Sequence, residues 1–284
     1  MKRKNYSQKE TQETQVHQVL DLLDLPEKCT QDKKRRVLTE NIFDNSNEGE
    51  SHEELKKIKK ITIIDKRERL LRYTINNIPK RIKKYWVKRF DLFYNYDEGI
   101  LMDEEGWYSV TPEAIATQIA ERCRCDVIID AFCGVGGNAI QFAKTCQKVI
   151  AIDIDETKII CAKNNAQIYG VEDRIEFILG DYFKLIPKLK ADVVFLSPPW
   201  GGPSYRKQKV FNLKTMMSIN GEKLYHETTK ITNNISYYVP RNTNPQQLAN
   251  FIGNGKTCEV QQIYVDGIFK AQVAYYGDLK CNDE

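Results

Sequence analysis

The chain has 284 residues, of which 41% are hydrophobic, 10% aromatic and 29% charged. This composition can fill the core of one domain of catalytic size but not the whole length, so we expect a globular domain with a polar extension. No apolar run reaches the length of a membrane span, and the polar start lacks the apolar segment of a signal peptide, which favours a soluble intracellular protein.

Charge is distributed unevenly along the chain. Residues 1–90 contain 23 Lys and Arg against 14 Asp and Glu, whereas residues 91–284 contain 20 against 25. A basic arm on a mildly acidic domain suggests a polyanionic partner such as nucleic acid, although a solvated charged tail has the same composition. The eight cysteines include no Cys-x-x-Cys pair and accompany only three histidines, so we expect reduced thiols and no metal site.

The composition along the chain predicts three parts. Residues 1–70 are rich in charged and amide side chains and are expected to form a basic, largely disordered arm. Its runs Lys33–Arg36 and Lys56–Lys60 could serve nuclear import or RNA contact. Residues 71–122 are expected to form a helical extension, and residues 123–284 the main domain.

The extension contains two predicted helices. Apolar side chains recur at helical spacing from Ile82 to Phe93, which predicts one helix whose aromatic stripe packs on the main domain. A second helix is expected to start near Pro112, with Thr111 as its N-cap. The lysines of the first helix lie on its other faces, where they could line a cleft: Lys83, Lys84 and Lys88.

From residue 126 onward, strand-like and helix-like segments alternate, which is typical of a doubly wound α/β sheet. The last two predicted strands follow each other directly and are expected to form a terminal antiparallel pair. The predicted strands are 126–132, 149–155, 175–181, 191–197, 235–240, 258–265 and 269–278, and the helices are one beginning near 138 and those at 156–170, 222–233 and 244–252.

The segment DAFCGVGGNA, residues 130–139, stands where the first strand should turn into a helix. Gly134 and Gly136 permit a tight turn and a close approach of a ligand to bare backbone beside free N–H groups. The same spacing fits a nicotinamide or flavin dinucleotide site, so this motif alone does not select the ligand.

Carboxylates mark the ends of the first three predicted strands. Asp153 is placed to accept both hydroxyls of a ribose, and Asp181 could accept from an adenine amino group. Asp130, four residues ahead of Gly134, suits a cationic amino-acid or sulfonium group better than a pyrophosphate. Each aspartate alone could cap a helix or a turn, but the ordered set resembles the S-adenosylmethionine pocket of Rossmann-like methyltransferases.

The fourth predicted strand runs into SPPWGGPSY, residues 197–205. The Ser197 hydroxyl and the Pro198 carbonyl could hold the hydrogens of an exocyclic amine so that its lone pair points at a methyl sulfonium, and the prolines would keep that loop preorganised. Trp200 offers a flat face on which a base can stack, and a positively charged base would gain a cation–π contribution.

Six segments in order resemble the trimethylguanosine synthase family, over roughly residues 80–279: WYSVTPE, DAFCGVGGN, AIDID, NNAQIYGV, SPPWGGPSY and YYVPRN. The resemblance implies a class I S-adenosylmethionine-dependent methyltransferase fold whose helical extension contributes to the cap and cofactor sites. It also implies transfer of methyl groups to guanine N2 of 7-methylguanosine caps of small nuclear and nucleolar RNAs, giving 2,2,7-trimethylguanosine. Ribonucleoprotein partners follow from the same resemblance, as does a nuclear location, which the basic runs also favour.

Carried onto this chain, the resemblance implies three groups of site residues and no general base. Ser197, Pro198 and Trp200 would orient the guanine for methyl transfer. Lys84, Trp200, Tyr205 and Arg241 would bind the cap. The cofactor would be bound by Phe93, Thr111, Asp130, Gly134, Gly136, Asp153 and Asp181, with Glu105 as a weaker candidate near the cofactor or base.

Three other interpretations stay open. The Ser-Pro-Pro-aromatic motif alone also fits a methyltransferase that acts on adenine N6 or on a protein glutamine. A catalytically silent RNA-binding module would use the basic arm, but it would not explain why donor-pocket and amine-holding residues occur together. A nicotinamide oxidoreductase would use the glycine turn, and lack of binding to that cofactor would dismiss it.

Overall fold

The computed structural model describes residues 71–253 and 256–281. The expectations for the basic arm and for its two basic runs lie outside the described residues. The described residues that precede the sheet pack on the same apolar core as the sheet itself, as shown by Phe93 and Trp107, which are both almost fully buried.

A seven-stranded sheet forms the centre of the described part, with strand order β3-β2-β1-β4-β5-β7-β6. The first five strands pair in parallel, whereas β7 runs antiparallel to both of its neighbours. The predicted doubly wound sheet with a terminal antiparallel pair is therefore confirmed. The strands are β1 Val127–Asp130, β2 Lys148–Asp153, β3 Ile175–Leu179, β4 Val193–Leu196, β5 Ile235–Pro240, β6 Glu259–Val265 and β7 Ile268–Tyr275.

Helices cover both faces of this sheet. Within β1, Ile128 belongs to the core layer shared with α4 to α6, and Ile129 to the layer shared with α7 to α9, because side chains alternate along a strand. No helix of the described ranges is long and apolar enough to cross a membrane. The helices are α1 Lys83–Trp86, α2 Arg89–Leu92, α3 Gly106–Ser109, α4 Glu113–Arg122, α5 Gly137–Thr145, α6 Glu156–Ile168, α7 Tyr182–Leu185, α8 Gly221–Thr228 and α9 Pro245–Asn250.

The prediction of one continuous helix from Ile82 to Phe93 is wrong. The chain forms two short helices, α1 and α2, with the exposed Val87 in the turn between them. The break brings Leu92 and Phe93 into the core and leaves Phe90 39% exposed, although the helical pattern had placed Phe90 on the buried stripe. Tertiary burial of the aromatic side chains therefore overrides the helical periodicity.

Two predicted helix boundaries also differ from those in the structure. Pro112, not Thr111, is the N-cap of α4, because its extended backbone ends just before Glu113 and its carbonyl accepts from the amides of Ile115 and Ala116. Helix α8 ends at Thr228 rather than near residue 233, since the following residues form turns that lead into β5.

Asn165 joins the extension to the main domain. Its side chain is fully buried, its Oδ1 accepts from the amide of Leu101 at 2.8 Å, and its Nδ2 donates to the Leu101 carbonyl at 2.9 Å. The same Nδ2 donates to the carbonyl of Val135, in the glycine turn, at 2.9 Å. One amide therefore fixes the chain before α3 against the glycine turn.

Candidate active site

A cavity of about 750 Å³ opens at the carboxyl ends of β1, β2, β3 and β4. This edge includes the boundary between β1 and β4, where the strand order reverses and where open α/β sheets bind ligands. Its wall is formed by parts of six segments, at 84–115, 131–138, 153–158, 180–183, 197–206 and 218–219, together with one residue of β5 and two of the β6–β7 hairpin.

Most of the predicted site residues line this one cavity, although they come from distant parts of the chain. Phe93, Asp130, Gly136 and Arg241 do not line it. The predicted residues on the wall are Lys84, Glu105, Thr111, Gly134, Asp153, Asp181, Ser197, Pro198, Trp200 and Tyr205.

Asp130 lies beneath the wall at the end of β1. Its side chain is fully buried, and neither carboxylate oxygen has a well-formed hydrogen bond with the described residues. Burial raises the pKa of this carboxyl to about 8, although the amides of Phe132 and Ala139 oppose the shift. The protein without ligand therefore holds Asp130 mainly as the neutral acid at pH 7.

Phe93 and Gly136 have packing roles in this structure. Phe93 is 2% exposed, and its ring packs against Tyr169 at 6.2 Å between centroids. At Gly136 an added Cβ would lie 3.1 Å from the Cα of Ala162, so this glycine lets α5 approach α6. Gly134, by contrast, has φ +52 and open space where a Cβ would stand, as a close approach of a ligand requires.

Arg241 follows β5 and lies against the β6–β7 hairpin instead of the cavity wall. Its Nη1 donates to the carbonyl of Phe269 at 3.2 Å. The neighbouring Lys270, which the sequence analysis missed, does line the cavity.

Carboxylates held by backbone amides form the donor half, the side of the cavity that carries Gly134, Asp153 and Asp181. The two oxygens of Asp153 accept from the amides of Gly134 at 2.9 Å and Asp155 at 3.0 Å. Burial raises the pKa of Asp153, with these amides and Lys158 opposing the shift. Asp181 accepts from the amide of Phe183 at 3.0 Å as the N-cap of α7, so both carboxylates are fixed to the sheet edge.

Lys158 is a wall residue that sequence reasoning missed. Its Nζ lies 3.1 Å from Asp103 and 3.0 Å from Glu105, and 13% of its side chain is exposed. Burial lowers the pKa of Lys158, but the two carboxylates outweigh burial and raise it. No local pattern reveals this cluster, because Lys158 lies in α6 and both carboxylates lie in the extension.

Aromatic rings form the acceptor half, the side of the cavity that carries Trp200, Tyr205 and Tyr238. The Trp200 ring stacks on Tyr238 with centroids 5.2 Å apart and planes at 30°, and it meets the edge of Tyr205 at 5.4 Å. Tyr238 is 7% exposed and comes from β5, so a rigid strand supports the indole. Ser197 donates to the Phe132 carbonyl at 3.4 Å, which ties the start of the proline loop to the glycine turn.

Four unpaired cations line the cavity wall. None of the four makes an ion pair with a described residue, whereas the wall cation Lys158 is paired. Asp91 is an acidic neighbour on the same part of the wall. Lys84 and Lys88 line the wall, as expected for lysines of the first predicted helix, whereas Lys83 does not. Lys270 and Arg206 were missed because charged residues at strand and loop ends carry no signal of the direction in which they point. The four cations are Lys84, Lys88, Arg206 and Lys270.

The described residues contain no group of three His, Cys, Asp or Glu side chains that could hold a metal ion. The cysteines at described positions are free thiols. Cys133 lies in the glycine turn and on the wall, and burial raises its pKa well above the ordinary value, so its thiol is a packed neutral group.

Comparison with known proteins agrees with this geometry. Residues 125–279 match the family described as RNA cap guanine-N2 methyltransferase. A trimethylguanosine synthase of Schizosaccharomyces pombe is 41% identical over 209 residues, which cover 70% of this chain and 87% of that protein. The trimethylguanosine synthase of Saccharomyces cerevisiae is 36% identical over 220 residues, covering 72% of this chain and 70% of that protein.

A solved structure supports the fold. A putative methyltransferase of Porphyromonas gingivalis superposes with a TM-score of 0.57 at 13% identity, covering 78% of this chain and 59% of that one. The family resemblance inferred from the six motifs is confirmed by the sequence matches, and the methyltransferase fold by the topology. The chain therefore belongs to the RNA cap guanine-N2 methyltransferase family.

Proposed function

We propose that this enzyme is a hypermethylase that transfers methyl groups from S-adenosylmethionine to guanine N2 of 7-methylguanosine caps on RNA. The observation that carries the proposal is one cavity in which a donor half with fixed carboxylates adjoins an aromatic acceptor half with unpaired cations. The names of the two yeast relatives support trimethylguanosine as the product, and therefore two successive transfers.

The donor half fits S-adenosylmethionine, which supplies a methyl group on a sulfonium when bound. Gly134 leaves its backbone open, Asp153 offers carboxylate oxygens for ribose hydroxyls, and Asp181 for the adenine side. Thr111 and Asn138 form a buried hydrogen-bonded pair on the same wall, at 3.0 Å. We assign Asp130 a supporting role below this wall. Its buried carboxyl is neutral without a ligand, and a cationic ligand above it would favour the ionised form.

The acceptor half fits a charged purine. Trp200, held by Tyr238 and Tyr205, would stack on the 7-methylguanine ring, whose positive charge adds a cation–π contribution. The Ser197 hydroxyl and the Pro198 carbonyl would accept the two hydrogens of the amine and direct its lone pair along the transfer axis. Lys84, Tyr205 and Lys270, which line the wall, would contact the cap phosphates, together with Arg241, which lies against the hairpin.

No side chain is needed as a base in this scheme. N7 methylation makes the guanine ring cationic and acidifies its amino group, so the proton can leave to water after transfer. Orientation and electrostatic complementarity then supply the catalysis. An unmethylated cap lacks that charge and is expected to be a much poorer substrate.

Small nuclear and nucleolar RNAs are the substrates that we propose, with ribonucleoprotein proteins as partners and the nucleus as the site of the reaction. This part rests on the family resemblance alone. The basic runs that could serve nuclear import lie outside the described residues.

A mass-spectrometric time course tests the proposed function. The purified protein is incubated with S-adenosylmethionine and with two capped RNAs that differ only in N7 methylation of the terminal guanosine. Gain of one and then two methyl groups on the 7-methylated cap alone is expected. Equal turnover of both caps would contradict the role of ring charge, and no gain on either, with donor binding intact, would point to an adenine or protein amide acceptor.

A further inference from the structure

A pair of thiols lies at the end of the β1–α5 unit that is away from the cavity. The Sγ atoms of Cys125 and Cys146 are 3.9 Å apart. Cys125 stands two residues before β1, and Cys146 directly follows α5, whereas the glycine turn joins the other ends of these elements at the cavity. Neither thiol lines the cavity wall. The proposed function therefore does not use this pair.

The two thiols differ in exposure. Cys125 is half-buried, whereas Cys146 is 4% exposed. A small reagent from solvent can therefore reach the sulfur of Cys125, and Cys146 lies in contact with that sulfur on the buried side. An accessible thiol with a second thiol beside it is the arrangement found in redox-sensing cysteine pairs.

Hydrogen bonds stabilise a thiolate within this pair. The Cys125 thiol donates to Cys146, the Thr145 hydroxyl lies 3.7 Å from the same sulfur, and the Arg124 guanidinium adds a favourable charge. Against burial, these groups lower the pKa of Cys146 to about 6. The same hydrogen bond raises the pKa of Cys125, with burial and the Asp192 carboxylate acting in the same direction. At pH 7 the two sulfurs therefore share one proton.

Other buried thiols stay protonated. Burial raises the pKa of Cys123 and of Cys161 to about 12, and that of Cys133 well above its ordinary value. The thiolate is the form of cysteine that reacts with oxidants. Oxidation in the sheet core should therefore begin at the hydrogen-bonded pair and not at these three thiols.

We propose that Cys125 and Cys146 form a peroxide-sensitive dithiol that is oxidised to a disulfide. Transfer of the shared proton to Cys146 leaves the thiolate on the half-buried Cys125, which attacks one oxygen of hydrogen peroxide. The O–O bond breaks, and Cys125 becomes a sulfenic acid. The hydroxide that leaves takes the proton of Cys146, whose thiolate attacks the sulfenic sulfur. A second hydroxide is displaced and takes a proton from solvent, so two thiols and one peroxide give one disulfide and two waters.

The disulfide would join the two far ends of the β1–glycine turn–α5 unit. The sulfurs are already in contact at 3.9 Å, and a bond of about 2.05 Å needs a further approach of roughly 2 Å. This inference is independent of the proposed function, because it requires neither a methyl donor nor RNA.

Peptide mapping after oxidation tests the pair. The full chain is reduced, freed of reductant and treated with hydrogen peroxide, and the remaining thiols are blocked with N-ethylmaleimide after unfolding. Tryptic peptides are then sequenced by mass spectrometry, because Cys125 and Cys133 fall on one tryptic peptide. Wild type is compared with Cys125→Ser, Cys146→Ser and, as a matched control, Cys281→Ser, whose thiol is exposed and lies outside the pair.

The expected product is a link between two identified cysteines. Wild type and Cys281→Ser should lose about 2 Da, one hydrogen from each thiol, in a peptide that joins Cys125 to Cys146, and dithiothreitol should reverse the loss. Cys146→Ser should instead accumulate a sulfenic acid at Cys125 that dimedone traps. Cys125→Ser should consume peroxide at Cys146 about tenfold more slowly, since that sulfur is buried.

Two results would overturn the proposal. One is a wild-type protein without this link at peroxide concentrations that oxidise the exposed Cys281. The other is a link that joins either thiol of the pair to a different cysteine. Both are measured on wild type, so they do not depend on whether a variant folds. Oxidation of Cys125→Ser at the wild-type rate would overturn the order of attack.

Discussion

The two halves of the cavity are built in different ways. In the donor half, Asp153 and Asp181 are fixed by backbone amides at the ends of neighbouring strands. In the acceptor half, Trp200 is held by two tyrosines, and the surrounding cations are unpaired. The sheet therefore positions the donor half before any ligand binds, whereas charges of the acceptor half remain available for a polyanionic ligand. Four changes can sharpen or break this contrast.

The largest expected effect concerns pH and Asp130. Its native pKa of about 8 lies above the ordinary unfolded value of about 3.9, so between these limits the native protein binds more protons than the unfolded chain. The contribution of Asp130 to stability should therefore fall as pH rises from about 4 to 8, with a slope approaching 1.4 kcal/mol per pH unit. Asp130→Asn removes this titrating group. The free energy of unfolding of the variant, relative to that of wild type, should therefore increase by up to about 4 kcal/mol between pH 5 and pH 8.

Urea unfolding at fixed pH values measures the difference between the two proteins. Parallel curves of unfolding free energy against pH would contradict the raised pKa of the buried carboxyl. They would also mean that Asp130 is not a neutral acid next to the donor half.

Asn165→Ala tests whether the extension is fixed to the donor half. The change leaves the amide and carbonyl of Leu101 and the carbonyl of Val135 without their partner, so the free energy of unfolding should fall by about 3 kcal/mol. Gln167→Ala is the matched control, because Gln167 is an exposed side chain of the same helix, α6. Similar losses for both variants would mean that Asn165 has no special linking role.

Trp200→Ala tests the acceptor half alone. The loss of a stacking face should weaken binding of a 7-methylated cap analogue roughly 30-fold, about 2 kcal/mol, while affinity for S-adenosylhomocysteine stays unchanged. Parallel calorimetric titrations measure both. Trp200→Phe should retain part of the cap affinity, and a loss of both affinities in Trp200→Ala would indicate a folding defect instead of a separate acceptor half.

Arg206→Gln should give the smallest effect. This exposed side chain lies on the wall but only at its rim, so removal of its charge should weaken the cap analogue about threefold and flatten the salt dependence of binding. Titrations at two salt concentrations check this, with Lys188→Gln as the control because Lys188 is exposed and lies away from the cavity wall. Equal effects of both variants would mean that net charge alone matters.

The sequence predicted those parts of the molecule that are encoded by neighbouring residues. The alternating strand and helix patterns predicted the parallel sheet and its terminal antiparallel pair. They could do so because the hydrophobic pattern of each element depends only on residues that are close together in the chain. Asp153 and Trp200 were predicted for the site since each lies at or shortly after the end of a strand whose carboxyl end lies at the ligand edge. The three-part division of the chain and the individual roles of the site residues stay predictions.

Contacts between distant segments could not be read from the sequence. Lys158 lines the cavity because α6 packs beside Asp103 of the extension, and Tyr238 supports Trp200 because β5 neighbours β4. Lys270 points to the wall because of a bulge, and Gly136 serves helix packing because Ala162 lies against it.

The sequence by itself therefore determined the fold class, the family and the chemical character of the two halves. The tertiary structure decided which side chains meet: it broke the aromatic helix before Phe93, buried Asp130 below the wall and turned Arg241 against the hairpin. The physical reason is that strand and helix patterns depend on spacing along the chain. Burial and the direction of a side chain depend on which distant segment packs against it.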